Sequence, residues 1–395
     1  MRGFFARHRF ILSFVFLNSM MGMSVGLGKV AAPLYALSLG ANESVLGVVA
    51  GAQSAGILLI SLPMGLFVER YGPYGLFVFG SLLATALYML LPTVASLGFL
   101  VACTFAISFC MPFRFVPLNT VFLQQLANLG DEKAGFARGS HMAGTALLGP
   151  VLAATAIEGF GFRGTYWLIA ALFLITATMA SLVFGRSAPA PRPGTALSFD
   201  ALRAQLRILS IDAEVRSASM VDFTAQAMMG FYTFFIVVIA VADLGLGTEQ
   251  ASGLVGAQGL SYVLALFMLG RLVGRLGQLA TYLLSAAVIA TALLLLGTAD
   301  DAAGLWGGGL ALGLGLGILQ IVNLMRFARI GARLGQGRIA GLNALVGPAG
   351  SLFGSFGGGL IGHRLGLQTV FLLFLPALVL VTQKLHAGHK ALAEA

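Results

Sequence analysis

Long apolar runs broken by short polar stretches set the pattern of this chain. The first covers residues 10–39 and follows Arg2, Arg7 and Arg9; others cover about 45–68, 74–91 and 96–126, a stretch holding Gly149 and Pro150 that ends near residue 157, and 166–184. Runs of this kind approach or exceed the ~20 helical residues that cross ~30 Å of hydrocarbon, the longer ones by tilting. Six more follow at about 218–242, 252–269, 279–296, 305–324, 339–361 and 370–381. The pattern predicts twelve membrane-spanning helices, six on either side of a linker. The first run imitates a signal peptide at its start, but it continues too far and has no small-residue cleavage site, so it reads as an uncleaved first span.

The linker, about residues 185–217, opens with Pro189, Pro191 and Pro193. Its second part, residues 199–211, sets Leu202, Leu206 and Leu209 near helical spacing with Arg203 and Arg207 between them, the mark of a helix lying on the membrane surface. The expected organisation is a six-helix bundle over 1–184, a cytoplasmic linker with an amphipathic helix over 185–217, and a second bundle with a short tail over 218–395.

Composition sharpens this to an all-α integral membrane protein. Hydrophobic residues form 58% of the chain and charged ones 9%, against about 25% charged in soluble domains. The formal charge of +9 comes from arginines gathered in loops, which is a topology signal and gives no ground for nucleic-acid binding. With the N-terminus inside, nineteen of the 23 basic residues fall on the inner side, Arg163 and Arg364 lie in outer loops, and Lys29 and Arg114 lie within helices. Both termini are therefore expected in the cytoplasm and the chain in a bacterial-type inner membrane. Cys103 and Cys110 share one apparent helix about 10 Å apart in rise, too far for a disulfide.

A polar knot, Gly65-Leu66-Phe67-Val68-Glu69-Arg70-Tyr71-Gly72, separates spans 2 and 3. Gly270-Arg271-Leu272-Val273-Gly274-Arg275-Leu276-Gly277 repeats its Gly, Val, Arg and Gly 205 positions later. Gly149-Pro150 has a counterpart in Gly347-Pro348, and Asn119 in Asn323, which points to two related halves. The first knot resembles the signature of the major facilitator superfamily, a glycine, an acid-arginine pair and a second glycine in the loop between helices 2 and 3. Glu69 stands where the family usually has Asp, and Pro73 and Tyr74 where it has further basic residues. The resemblance implies two six-helix halves rocking about a midplane site, with Glu69, Arg70 and Arg275 in loops that latch the inner face and take part in coupling or gating.

Charged groups inside hydrocarbon are costly and point first to function. Lys29 in span 1, Arg114 in span 4 and Asp222 near the start of span 7 are such groups. The family resemblance puts spans 1, 4, 7 and 10 around the central cavity. Lys29 and Arg114 are then expected to bind an anionic part of the substrate, and Asp222 to carry a proton or gate. The bland alternatives are snorkelling for Lys29, a hydrogen bond to span-1 backbone for Arg114, and a helix cap near Ser217 and Ser219 for Asp222. Gln226, Gln320 and Asn323 are expected to face the cavity. Gly149, Pro150, Gly347 and Pro348 are expected hinges, since proline frees a carbonyl and small residues admit close helices; the first pair resembles the glycine-proline element of antiporters in the superfamily.

The chain carries no nucleotide-binding glycine loop and no nucleophile-base set, so it reads as no enzyme and as needing no cofactor. The expected function is proton-linked transport of a small anionic organic compound by a monomer, export slightly ahead of import. One alternative is import of copper or a metal complex through Met20, Met23, His141 and Met142. Another is a transport-dead sensor or assembly factor on the same scaffold.

Overall fold

The computed structural model describes residues 2–129, 135–185, 207, 211–334 and 336–393. Among them there is no strand. The helices are α1 (Arg2–Ser38), α2 (Glu43–Tyr71), α3 (Pro73–Leu90), α4 (Leu97–Cys110), α5 (Pro112–Leu129), α6 (Gly135–Met142) and α7 (Gly149–Phe184), then α8 (Ala213–Val238), α9 (Thr248–Met268), α10 (Gly270–Leu276), α11 (Gln278–Gly297), α12 (Ala302–Leu334), α13 (Gln336–Leu352), α14 (Gly358–Leu365) and α15 (Leu367–Ala393). Short π-helical turns interrupt them at Ala143–Leu148, Ile239–Asp243 and Phe353–Gly357. Among the described residues, nine helical stretches are long and apolar enough to cross a membrane. One of these, Gly139–Phe184, is two passes folded at Gly161, whose φ of 62° breaks the helix. The α13–α14 stretch and α15 supply the remaining passes, giving the twelve expected. The predicted surface helix lies outside the described residues except for Arg207 and Ile211.

Several predicted boundaries move, each for a physical reason. The fourth run is two helices, because Pro112 has no N–H to continue α4 and begins a new turn instead. Span 7 begins five residues earlier than expected, at Ala213, where the Asp212 carboxylate accepts from the backbone N–H of Glu214 and Val215 at 2.9 and 3.0 Å. Asp222 is thus well inside α8, and capping is not its role. The tenth pass continues to Leu334, carrying Arg326, Arg329 and Arg333 on its last turns.

Six glycines have positive φ among the described residues: Gly40, Gly72, Gly161, Gly245, Gly277 and Gly366. They form three pairs, 40 with 245, 72 with 277 and 161 with 366, each 205 positions apart. Left-handed backbone is a glycine conformation, so a turn that needs it retains the residue while its surroundings drift. This register corrects two of the correspondences drawn from sequence. Asn323 matches Leu118, both buried, whereas Asn119 is exposed. Gly149-Pro150 lies 12 residues before its turn glycine and Gly347-Pro348 lies 19 before its own, so the two pairs differ in depth by about two helical turns.

The chain forms two compact units, Met1–Leu39 with Ala52–Leu197, and Gly40–Gly51 with Ser198–Ala395. In unit 1, Phe14, Met21, Phe77, Leu118, Phe122 and Phe184 form an apolar core. Above it α1 lies so close to the Ala143–Leu148 turn that a Cβ on Gly26 would collide with the Thr145 carbonyl. In unit 2, Val215, Ala218, Phe327, Ile330, Ile339 and Leu342 form the corresponding core. There α8 meets α13 and the turn after it with Gly350 and Gly354 against the carbonyls of Phe223 and Ala227. The first turns of α2 belong to unit 2: a Cβ on Gly47 would lie 2.9 Å from the Gly359 Cα, and His363 Nδ1 pairs with Glu43 Oε2 at 3.2 Å.

Candidate functional site

In unit 1 a cavity of about 100 Å³ opens among α1, α2, α3, α4, α5 and α7. Its apolar lining includes Val25, Ala32, Ile57, Leu91, Ile107 and Met111, with Phe115 at one end. Its polar lining is Lys29, Gln53, Tyr88, Thr104, Ser108 and Tyr166. Lys29 is partly accessible and, among the described residues, makes no hydrogen bond or ion pair. Lys29 is thus one of the lining residues of the cavity. Tyr166 is 1% exposed and its hydroxyl is buried without a hydrogen-bond partner among the described residues. The Tyr88 hydroxyl has room because residue 28 is glycine: a Cβ there would stand 3.1 Å from it. The ring of Tyr166 is held edge-on to Tyr35 at 5.4 Å, and that of Tyr88 leans on Phe173 at 5.2 Å. Ser108 is already engaged, accepting from the Gly56 N–H at 2.9 Å and donating to the Phe105 carbonyl at 2.7 Å. No carboxylate lines this cavity among the described residues. The wall is therefore rich in donors and short of negative charge.

Arg114 does not line the cavity. It is fully buried among α3, α5 and α7, with Nη2 donating to Thr176 Oγ1 at 2.8 Å and the guanidinium over the Phe173 ring at 3.8 Å. The structural bond foreseen for it thus runs to α7 instead of α1. Its Nε and Nη1 have no hydrogen-bond partner among the described residues. Cation–π contact offsets part of that loss, since a guanidinium stacks flat on an aromatic face. Phe173 therefore carries Arg114 on one side and Tyr88 on another, and Tyr88 reaches the cavity.

Asp222 in α8 is 3% exposed. Gly347 lies beside it: a Cβ there would be in ordinary contact, 3.9 Å from Asp222 Oδ2 and 3.8 Å from Gln226 Nε2. Gln226 is partly exposed, Gln320 is buried on α12, and Asn323 is tied down: its Nδ2 donates to the Ala218 carbonyl at 3.3 Å and its Oδ1 accepts from the Tyr282 hydroxyl at 3.4 Å. Arg70 and Arg275 are exposed, Arg70 lying 5.4 Å from the Tyr71 ring; the Glu69 side chain is outside the described ones. His141 meets Thr145 Oγ1 at 3.3 Å and the edge of Phe115 at 4.9 Å, and Met20, Met23 and Met142 are partly buried. Among the described residues no three His, Cys, Asp or Glu gather as metal ligands.

Sequence reasoning missed two features. One is the pair of cavity tyrosines, which look from sequence like ordinary interfacial aromatics. The other is a charge cluster in unit 2, where Arg333 Nη2 meets Asp212 at 2.8 Å and Glu214 at 3.1 Å, and Arg326, 8% exposed, bonds Ser217 Oγ at 3.3 Å. The carboxylates stand at the N-terminus of α8 and the arginines on the last turns of α12, as both helix dipoles favour.

The repeat register shows that the halves share turns and not chemistry. Counting 205 positions, Lys29 corresponds to Phe234, Arg114 to Leu319, Asp222 to Leu17 and Arg326 to Val121, and each of these partners is a buried apolar residue.

The sequence profile of the Major Facilitator Superfamily matches residues 12–218. No curated protein matches the chain in sequence. Among solved structures, the nucleoside transporter NupG is similar with a TM-score of 0.74 at 14% identity, over 96% of this chain and 98% of its own. A bacterial homologue of the human lysosomal transporter Spinster, inward-facing and unoccupied, has a TM-score of 0.72 at 12% identity, covering 96% of both chains. The human organic anion transporter MFSD10 (TETRAN) has a TM-score of 0.69 at 14% identity, over 96% of this chain and 99% of its own. At such identities the likeness is one of fold.

Proposed function

Because the chain belongs to the major facilitator superfamily, we propose that it moves a small anionic organic compound across the inner membrane by proton-linked alternating access, with export the favoured direction. The observation that carries this reading is Lys29, a cation without a partner among the described residues, set in a cavity wall whose other polar groups are hydroxyls and an amide and include no carboxylate. An uncompensated charge in a membrane interior is expensive, and an anionic ligand supplies the missing partner. That one structural neighbour is an organic anion transporter agrees with this chemistry. Lys29 holds the anion, and Arg114 fixes the Phe173–Tyr88 wall behind it. Asp222, the buried acid of α8 with Gln226 and Gly347 beside it, carries the coupling proton. Gln320 and Asn323 order the unit-2 helices around that acid. Residues 1–184 and 218–395 act as the two rocking bodies joined by the 185–217 linker, with Gly149-Pro150 and Gly347-Pro348 as hinges and Glu69, Arg70 and Arg275 as inner-face latches. The protein works as a monomer with both termini in the cytoplasm.

The test is accumulation of a panel of organic anions, cationic drugs, nucleosides and copper in cells, with and without a protonophore, for wild type, Lys29→Ala and Asp222→Asn. The reading expects flux of an anion to fall in both variants and to respond to the protonophore. Flux of a cation, a neutral nucleoside or copper that is indifferent to Lys29 overturns it.

A further inference from the structure

We infer that the unit-1 cavity selects a small monocarboxylate with an apolar, preferably aromatic, body; this rests on the anion reading above and narrows it. Lys29, Tyr88 and Tyr166 all line this cavity, an ammonium and two phenol groups, none of them hydrogen-bonded among the described residues. A carboxylate has two oxygens with about four acceptor sites, enough to accept one hydrogen bond from each of these three groups. The body of the ligand then meets Val25, Ile57, Leu91, Ile107, Met111 and Phe115, all apolar, with further polar contact from Gln53, Thr104 and the already engaged Ser108.

Charge fixes the valence. Among the described residues the cavity wall contains one cation, Lys29. A second interior cation, Arg114, is not among the lining residues; it is bound to Thr176 and lies over the Phe173 ring. A dicarboxylate or phosphate monoester would bury a second negative charge with no partner, and a neutral nucleoside would leave Lys29 uncompensated. Volume fixes the size: at about 100 Å³, with 10–15 Å³ of the same measure per water-sized group, the space holds on the order of ten non-hydrogen atoms. Gly28 contributes to selection because any side chain there would press on the Tyr88 hydroxyl.

The experiment is titration calorimetry on the purified full chain at neutral pH with four probes: benzoate, its neutral amide benzamide, the dianion phthalate, and uridine. Benzoate is expected to bind, and the other three to bind at least about tenfold more weakly, as loss of a charge-assisted hydrogen bond or an uncompensated charge predicts. Lys29→Gln should abolish benzoate binding, while Tyr166→Phe and Tyr88→Phe should each weaken it several-fold without shifting the melting midpoint; the tyrosine variants keep the test decisive where Lys29→Gln folds poorly. Phthalate binding as tightly as benzoate overturns the monoanion inference and leaves the anion reading standing. Uridine or benzamide binding as tightly as benzoate, indifferent to Lys29→Gln, sinks both. Absence of binding by all four probes also overturns the inference.

Discussion

Arg114 and Lys29 are both cations within a membrane span, yet their surroundings assign them different work. Lys29 faces a cavity with nothing among the described residues to pair with, whereas Arg114 is packed into the wall, spending its donor on Thr176 and its face on Phe173. This predicts opposite responses to substitution. Arg114→Ala should destabilise the fold by about 3 kcal/mol, because it empties a packed volume and leaves Thr176 without its donor. Arg114→Met, which fills the volume and removes donors that have no acceptor, should melt within about 1 kcal/mol of wild type. Thermal unfolding in detergent checks both, and a collapse of Arg114→Met would mean the cation has a partner beyond the described residues. Lys29 was legible from sequence because a lysine in an apolar run has no routine explanation. Tyr88 and Tyr166 were not, since whether a hydroxyl has an acceptor depends on helices far away in sequence.

Between the helices, turns and close approaches are set by glycine. Gly72 and Gly277 hold φ of 79° and 77° at the starts of α3 and α11, and a Cβ on Gly277 would have nothing within 4 Å of it. The obstacle to a larger residue at Gly277 is therefore backbone conformation alone, and Gly277→Ala should cost about 1–2 kcal/mol. Gly26→Ala should cost a comparable 1–3 kcal/mol, roughly, for the other reason, since its Cβ would drive α1 off the Thr145 carbonyl. Gly159→Ala, where the space is open and φ is ordinary, should be neutral, and equilibrium unfolding of the three variants separates the two mechanisms. The Gly65–Gly72 knot and its copy were readable because they combine glycine with arginine at fixed spacing. The pairs 40 with 245 and 161 with 366 were not, because the sign of φ is invisible in a glycine-rich chain. The same limit explains the Asn119 and Gly347-Pro348 matches: a displacement of one residue turns a side chain by about 100° around a helix, and seven residues move it two turns.

For the molecule as a whole, the succession of apolar runs was sufficient to predict twelve passes, because in hydrocarbon every backbone group must be satisfied within its own helix, while the repeated knot was what predicted two related halves. The asymmetry of charge was less accessible, as nothing in the repeat says which interior positions of the scaffold carry it: Lys29 and Arg114 in one half, Asp222 and Arg326 in the other. Topology is open to a direct check. Cys103 and Cys110 are buried, so single cysteines introduced at Arg163 and Arg364 should react with an impermeant maleimide on intact cells, and one at Arg275 only after permeabilisation; the reverse pattern would invert the assigned orientation. Whether the unit-1 cavity receives an anion on Lys29 can be seen by anomalous diffraction from crystals grown with 4-bromobenzoate. A bromine peak is expected among Ile57, Ile107 and Phe115 with the carboxylate on Lys29 Nζ and the tyrosine hydroxyls; a peak elsewhere, or an empty cavity at saturating ligand, would rule the anion site out.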